Sequence, residues 1–182
     1  MSKVPADNQR EFIPVRIAVL TVSDSRSMNE DRSGDTLVKR LEGAGHLLAD
    51  RKIIRDERGE IADQLRAWSL DPEIDVVIST GGTGLTGRDV SVEAHRDVYE
   101  KEIEAFATVF TIVSMKKIGT SAVQSRATGG VANGTYFFAL PGSPGACKDA
   151  WDDILVHQLD YRHHPCNFVE IFPRLDEHKR RK

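Results

Sequence analysis

The sequence of 182 residues has little cysteine and no long apolar run. Its two cysteines, Cys147 and Cys166, cannot form a disulfide framework, and free thiols suit a reducing compartment. No apolar stretch approaches the roughly 20 residues that a membrane-spanning helix needs. Residues 1–12 mix charged and polar side chains and contain no apolar core of a signal peptide. These absences predict a cytoplasmic chain that does not interact with a membrane.

The sequence also lacks a strong excess of charge of either sign. Its formal net charge is −3, whereas general nucleic-acid binders carry a basic face, so we expect no nucleic-acid partner. One dense basic run, residues 179–182, is typical of a solvated tail. The length suits one domain, and we place it at residues 13–172, between an N-terminal extension (1–12) and a charged C-terminal tail (173–182).

Short apolar runs alternate with segments of helical periodicity. The runs predict strands over 16–22, about 47–54, 75–79 and 135–140. Helical spacing predicts helices after Gly34, around Ile61, from Ser91 to about Lys117 and from Pro144. The third helix should break near 99–102 and bury Phe106, Val109, Phe110 and Val113, and residues 129–134 resemble a turn. The pattern predicts a single three-layer α/β domain whose mostly parallel sheet is covered by helices on both faces.

A glycine loop follows the third predicted strand, at the edge where α/β sheets bind ligands. It runs from Ser79 to Leu85 with the sequence STGGTGL. Gly81, Gly82 and Gly84 let the backbone approach a ligand, and Thr83 adds a hydroxyl donor, which suits a phosphate or another anion. The loop matches neither the Walker A nor the G-x-G-x-x-G pattern, and a tight turn that merely needs glycine is the alternative.

Two aspartates are expected at the same edge of the sheet. Asp56 follows the second predicted strand, and Asp89 lies four residues beyond Leu85. Each alone is typical of a surface residue or a helix cap. Together, beside a phosphate-binding loop, they could hold Mg²⁺, which usually takes one or two carboxylates plus substrate phosphates.

Further polar residues follow other strands. After the last strand, Gly142 and Ser143 offer a backbone N–H and a hydroxyl, although successive Pro-Gly pairs also form turns. Arg126 could clamp a phosphate bidentately, or be merely solvated. The run Thr21-Val22-Ser23-Asp24 could contact a nucleotide or cap a turn. By contrast, the run from His163 to Cys166 has no second ligand cluster at zinc spacing, so we expect no zinc there.

The order and spacing of these motifs resemble the MoaB/MogA family of molybdopterin adenylyltransferases over about residues 13–172. The motifs that carry the resemblance are Thr21-Val22-Ser23-Asp24, Gly34-Asp35, Ser79 to Leu85, Arg88-Asp89, Glu93-Ala94, Ser125-Arg126-Ala127 and Leu140 to Gly145. The segment from Arg162 to Phe168 looks like the MoaB branch. One departure is Val92, where the family commonly has proline before the Glu-Ala pair.

The resemblance implies a molybdopterin-binding-like fold, a homotrimer or homohexamer, and a role in molybdenum cofactor biosynthesis. The implied reaction transfers AMP from Mg-ATP to the terminal phosphate of molybdopterin and releases pyrophosphate, with a molybdenum-insertion protein downstream. It also implies catalytic, metal-binding roles for Asp56 and Asp89. The implied substrate contacts are Gly81, Gly82, Thr83, Gly84, Ser125, Pro141, Gly142 and Ser143. To these we add Thr21, Ser23, Asp24, Glu93 and Arg126 as further candidate contacts.

Three other functions remain open at this stage. One is a non-catalytic molybdopterin carrier on the same scaffold, which would bind the pterin without forming an ATP-dependent product. Another is a nucleotide pyrophosphatase of the CinA-like kind, although those chains are usually longer. The third is a purely structural oligomer subunit, which the clustered glycine loops disfavour.

Overall fold

A computed structural model describes residues 9–180, which form a six-stranded sheet in the order β2-β1-β3-β6-β5-β4. The strands are β1 (Arg16–Val22), β2 (Leu47–Ile54), β3 (Val76–Thr80), β4 (Lys101–Glu102), β5 (Thr128–Ala132) and β6 (Thr135–Leu140). Neighbours among β2, β1, β3 and β6 are parallel, whereas β5 is antiparallel to both β6 and β4. The predicted α/β class and mostly parallel sheet are confirmed.

Helices cover both faces of the sheet. They are α1 (Arg32–Gly43), α2 (Arg58–Ser69), α3 (Ser91–Arg96), α4 (Glu104–Ile118), α5 (Pro144–Ala150), α6 (Val156–Gln158) and α7 (Glu177–Arg180). A π-helical turn, Trp151–Leu155, joins α5 to α6, and 3₁₀ segments occupy Met28–Glu30, Gly119–Gln124 and Val169–Arg174. Among residues 9–180, none of these helices has the length and apolarity needed to cross a lipid bilayer.

The two hydrophobic clusters follow from the alternation of side chains along β1. Ile17 and Val19 belong to the cluster under α1, α4 and α5, whereas Ala18 and Leu20 belong to the cluster under α2 and α3. All four side chains are fully buried. A strand that is apolar on both faces requires cover on both sides, so the sequence of β1 alone dictates a three-layer arrangement.

The predicted turn over 129–134 is wrong for most of its length. Gly129 and Gly130 lie inside β5, and the reversal is confined to Asn133 and Gly134, whose φ angles are 50° and 83°. A Cβ on Gly130 would lie 2.4 Å from the Tyr99 ring, so this glycine serves close packing rather than turning. The predicted break near 99–102 is observed, and it contains the short strand β4.

Two other expectations about burial need correction. Phe106, Phe110 and Val113 are buried as predicted, but Val109 remains 37% exposed on the outer side of α4. The basic run at the C-terminus, as far as it is described, is not simply solvated, because Lys179 Nζ lies 2.7 Å from Glu100 Oε1 and 2.6 Å from Asn133 Oδ1. Residues 181 and 182 and most of the predicted N-terminal extension lie outside the described residues.

Candidate active site

A cleft of about 350 Å³ opens at the carboxyl ends of β1, β3 and β6. Those strands are adjacent in the sheet. The strand that follows β1 in the chain lies on one side of the β1–β3 pair, and the strands that follow β3 lie on the other. The strand order therefore reverses at this edge, which is where α/β sheets bind ligands. The lining residues come from the end of β1, from the loops after β1, β2, β3 and β6, and from the segment before β5: Val22, Ser23, Arg26, Asp56, Gly81, Gly82, Thr83, Gly84, Asp89, Gln124, Ser125, Pro141 and Gly142.

Glycine is required at two positions of the loop that follows β3. Gly81 and Gly82 have φ angles of 103° and 63°, a region that L-residues rarely adopt. A Cβ on Gly81 would also lie 2.2 Å from the Val22 carbonyl oxygen, and one on Gly82 would lie 2.6 Å from Asp56 Oδ1. The loop backbone therefore packs against the end of β1 and against the Asp56 carboxylate. At Gly81 and Gly82 it presents no side chain to the cleft.

The two predicted catalytic aspartates both line the cleft. Burial raises the pKa of Asp56, and the negative charges of Asp24 and Asp89 raise it further. Hydrogen bonds from the hydroxyl and backbone N–H of Thr86, at 2.6 and 2.8 Å, lower the pKa of Asp89. Asp89 is thus fixed and ionised, while burial and the neighbouring negative charges disfavour the charged form of Asp56.

This donor set fits a Mg²⁺ ion that shares its coordination with substrate phosphates. Such an ion usually takes one or two carboxylates from the protein. Residues 9–180 contain no gathered group of three or more His, Cys, Asp or Glu side chains that could enclose a metal ion on their own. Asp56 and Asp89 would supply the protein ligands, because both carboxylates line the cleft.

Arg126, predicted to clamp a phosphate, binds the protein instead. Its Nε donates to the carbonyl oxygens of Thr83 and Gly84 at 2.9 and 3.0 Å, and Nη2 donates to the Asp89 carbonyl at 3.2 Å. Glu93 accepts from both Nη1 and Nη2, and this pairing lowers the pKa of Glu93. One guanidinium thereby binds three backbone carbonyl groups near the two ends of the segment 83–89. It is not among the residues that line the cleft.

A buried histidine stands behind the glycine loop. His95 Nδ1 lies 2.7 Å from the Ser91 carbonyl oxygen, so this nitrogen must carry the proton, and Nε2 then accepts from Ser79 Oγ at 3.0 Å. Ser91 Oγ in turn donates to the Gly81 carbonyl at 2.7 Å. Burial lowers the pKa of His95 to about 4, so the ring is neutral. Its exposed fraction is 0%, which denies it contact with a ligand.

Other predicted contacts lie outside the cleft. Thr21 is buried and donates to Asp31 Oδ2 at 2.7 Å, inside the network that begins α1. Ser143 caps α5 by accepting from Ala146 N at 3.1 Å. Asp24 accepts from Arg88 and from the backbone N–H of Asp56, and so braces the loop that carries Asp56. Together with Glu93 and Arg126, these residues surround the site without lining it.

Two lining residues, Arg26 and Gln124, were not among the predicted contacts, and Val22 was named only as part of the run from Thr21 to Asp24. Val22 and Gln124 contribute through position, and no residue-type pattern marks them. Arg26 carries a readable signal, because it lies three residues beyond Ser23 in the loop after a buried parallel strand, where ligand contacts concentrate.

Comparisons with known proteins show the family of the chain. The family described as "Probable molybdopterin binding domain" matches residues 18–161. The chain is 48% identical over 158 residues to molybdenum cofactor biosynthesis protein B of Escherichia coli strain K12, covering 87% of this chain and 93% of that protein. The Bacillus subtilis strain 168 protein of the same name is 39% identical over 146 residues, covering 80% and 86%. The chain belongs to the MoaB family.

A solved structure confirms the fold of this family member. The crystal structure of a molybdenum cofactor biosynthesis protein B superposes with a TM-score of 0.83 at 32% sequence identity. The match covers 92% of this chain and 99% of that one. Membership of the MoaB/MogA family, expected from the motifs, is therefore confirmed, and so is the molybdopterin-binding-like fold.

Proposed function

We propose that this protein is a molybdopterin adenylyltransferase, which transfers AMP from Mg-ATP to the terminal phosphate of molybdopterin in molybdenum cofactor biosynthesis. The observation that carries the proposal is the meeting of a glycine loop and two carboxylates, Asp56 and Asp89, in one cleft. Exposed loop amides suit phosphate oxygens, and paired carboxylates suit the cation that accompanies a nucleoside triphosphate.

In the proposed reaction, a terminal phosphate oxygen of molybdopterin attacks the α-phosphorus of ATP. A new P–O bond forms, the α–β phosphoanhydride bond breaks, and pyrophosphate leaves with the electron pair. A phosphate monoester has a second pKa of about 6, so the nucleophile is largely dianionic at pH 7 and requires no general base. This agrees with the full burial of His95, which is linked to the glycine loop through Ser91 and cannot contact a ligand.

The protein's task is then to hold two polyanions together. Mg²⁺ bound by Asp56 and Asp89 would neutralise part of the phosphate charge. The loop of Gly81 and Gly82 presents backbone without side chains to the cleft, and Arg126 and Glu93 keep that loop rigid. A preorganised polar surrounding of this kind is a main source of rate enhancement in phosphoryl-type transfers.

The direct test incubates the purified protein with molybdopterin, ATP and Mg²⁺, and separates the products by chromatography. We expect adenylylated molybdopterin and pyrophosphate in equal amounts. Tight binding of molybdopterin without any product would contradict the proposal, and would identify a non-catalytic carrier on this scaffold.

We also propose that the chain works in the cytoplasm as a homotrimer or homohexamer, and that its product passes to a molybdenum-insertion protein. The assembly has a candidate surface on the outer side of α4 and the turn after it. Large apolar side chains are 37–85% exposed there: Val109, Ile112, Met115, Ile118 and Val123. A patch of this kind is typical of a protein interface.

A charged residue in that surface should dissociate the oligomer. We expect sedimentation velocity to give a trimer or hexamer for the unmodified protein and a monomer for Ile112→Asp. Leu70→Asp is the matched control, because Leu70 is 73% exposed at the end of α2, away from α4. An Ile112→Asp protein that remains a trimer or hexamer would contradict the proposal that α4 forms the interface.

A further inference from the structure

Arg26 is a half-buried cation that lines the cleft and is fixed in place by neutral partners. Its Nη1 donates to Ser33 Oγ at 2.9 Å, and its Nη2 donates to the Gly142 carbonyl at 3.0 Å. The backbone N–H of Arg26 donates to Ser23 Oγ at 3.2 Å. The side chain therefore spans from the loop after β1 to the loop after β6, along one side of the cleft.

The cleft carries charges of both signs. The carboxylates lie against the glycine loop, since a Cβ on Gly82 would be 2.6 Å from Asp56 Oδ1 and one on Gly84 would be 2.7 Å from Asp89 Oδ2. Arg26 contacts the loop after β6 at Gly142, which in turn packs against Gly81. It is the one Lys or Arg among the described residues that line the cleft.

The donors of Arg26 are largely available, unlike those of the other arginines nearby. A guanidinium has five N–H groups, and the two side-chain bonds to Ser33 and Gly142 leave most of them free for a ligand. Within residues 9–180, no carboxylate forms an ion pair with Arg26. Arg126 is paired with Glu93, and Arg88 with Asp24 and Glu57.

We infer that Arg26 binds phosphate oxygens of the anionic substrates in this cleft, the role that the sequence suggested for Arg126. The inference rests on the proposed function, which brings polyanions to this site. A guanidinium suits a phosphate because its parallel N–H groups match two phosphate oxygens. Phosphates in the cleft would then be held both by Arg26 and by a cation that Asp56 and Asp89 would bind.

The test uses the full-length protein and inorganic pyrophosphate as the probe, in isothermal titration calorimetry without ATP or molybdopterin. Arg26→Gln should weaken pyrophosphate binding by about 10- to 100-fold, the loss of hydrogen bonds to a charged group. Arg26→Lys keeps the charge and should retain part of the affinity. Arg66→Gln removes the same charge on α2, far from the cleft, and should bind like the unmodified protein.

Two readings of the experiment overturn the inference. One is that Arg26→Gln, folded by its thermal transition, binds pyrophosphate as tightly as Arg66→Gln does. The other is that the unmodified protein does not bind pyrophosphate at all. A parallel product assay separates the two claims: Arg26-dependent binding without adenylylated pterin refutes the proposed function alone, whereas product formation with Arg26-independent binding refutes the inference alone.

Discussion

At the scale of single residues, Arg126 shows how a charged group can serve a site that it does not line. Its guanidinium donates to the carbonyl oxygens of Thr83, Gly84 and Asp89 and forms an ion pair with Glu93. Holding those carbonyls fixes the backbone of the loop between Thr83 and Asp89. The geometry requires a planar fork of donors, which lysine does not possess.

Arg126→Lys should therefore destabilise the protein although it conserves charge. We expect the free energy of unfolding to fall by about 1.5–3 kcal/mol, since buried carbonyls lose a charged donor. Urea denaturation measures this loss directly. The matched control is Arg96→Lys, which alters an exposed pair with Glu102 that should contribute only about 0–1 kcal/mol. Equal losses in the two variants would contradict the role assigned to Arg126.

At the scale of secondary-structure elements, strand β5 passes very close to the ring of Tyr99. The ideal Cβ of Gly130 would lie 2.4–2.5 Å from carbon atoms of the Tyr99 ring. That ring packs on its other neighbour, Phe137, with the ring centroids 6.3 Å apart. Neither partner can withdraw without disturbing the sheet. A glycine in a strand interior thus marks an approach between elements, which a residue-by-residue view interprets as a turn.

Gly130→Ala should accordingly cost about 1–3 kcal/mol or more of stability, through overpacking of the core. Gly59→Ala provides the comparison, because a Cβ there meets nothing within 4 Å in the first turn of α2. That variant should be neutral, or more stable by up to about 1 kcal/mol. Thermal unfolding of both proteins decides the matter. A Gly130→Ala protein as stable as the original would show that Tyr99 has room to move.

The sequence was sufficient to predict elements whose pattern is local, and insufficient where the partner is distant in the chain. The apolar runs of β1 and β6 and the helical spacing of α2 need no outside information. Strand β5 carries two glycines and is held by β6 and by Tyr99, so its identity depends on contacts that spacing does not reveal.

The same limit applied to the candidate site. The loops of Asp56 and Asp89 follow strands that were recognisable, and the structure places both in one cleft. The division between Arg26 and Arg126 depends on which donors are already occupied. Residue type alone carries no such information, so the arginine chosen from the sequence was one that the protein itself binds.

At the scale of the whole molecule, buried neutral histidines link stability to pH. Burial lowers the pKa of His95 from 6.5 to about 4, and burial also lowers the pKa of His46, with a partial opposing effect from Asp160. Unfolding exposes both rings to water, where they take up protons near pH 6.5. Their contribution to stability is therefore complete above that pH and declines as the pH falls.

We predict that the free energy of unfolding decreases between about pH 6.5 and pH 4, with His95 contributing up to about 3 kcal/mol. Chemical denaturation at a series of pH values measures the slope. In His95→Gln, which keeps a polar side chain at this position, the slope over that interval should be smaller than in the original protein. Identical slopes would mean that His95 is not the buried neutral group described here.

The central claim is that Asp56 and Asp89 make this cleft an adenylylating site, and the rate of formation of adenylylated molybdopterin tests it most directly. We expect Asp56→Asn and Asp89→Asn each to lower that rate by about 10²- to 10³-fold or more, with thermal transitions close to the original. Asp63→Asn, on the exposed face of α2, should leave the rate unchanged. Folded Asp56→Asn and Asp89→Asn proteins that form product at the original rate would contradict the account.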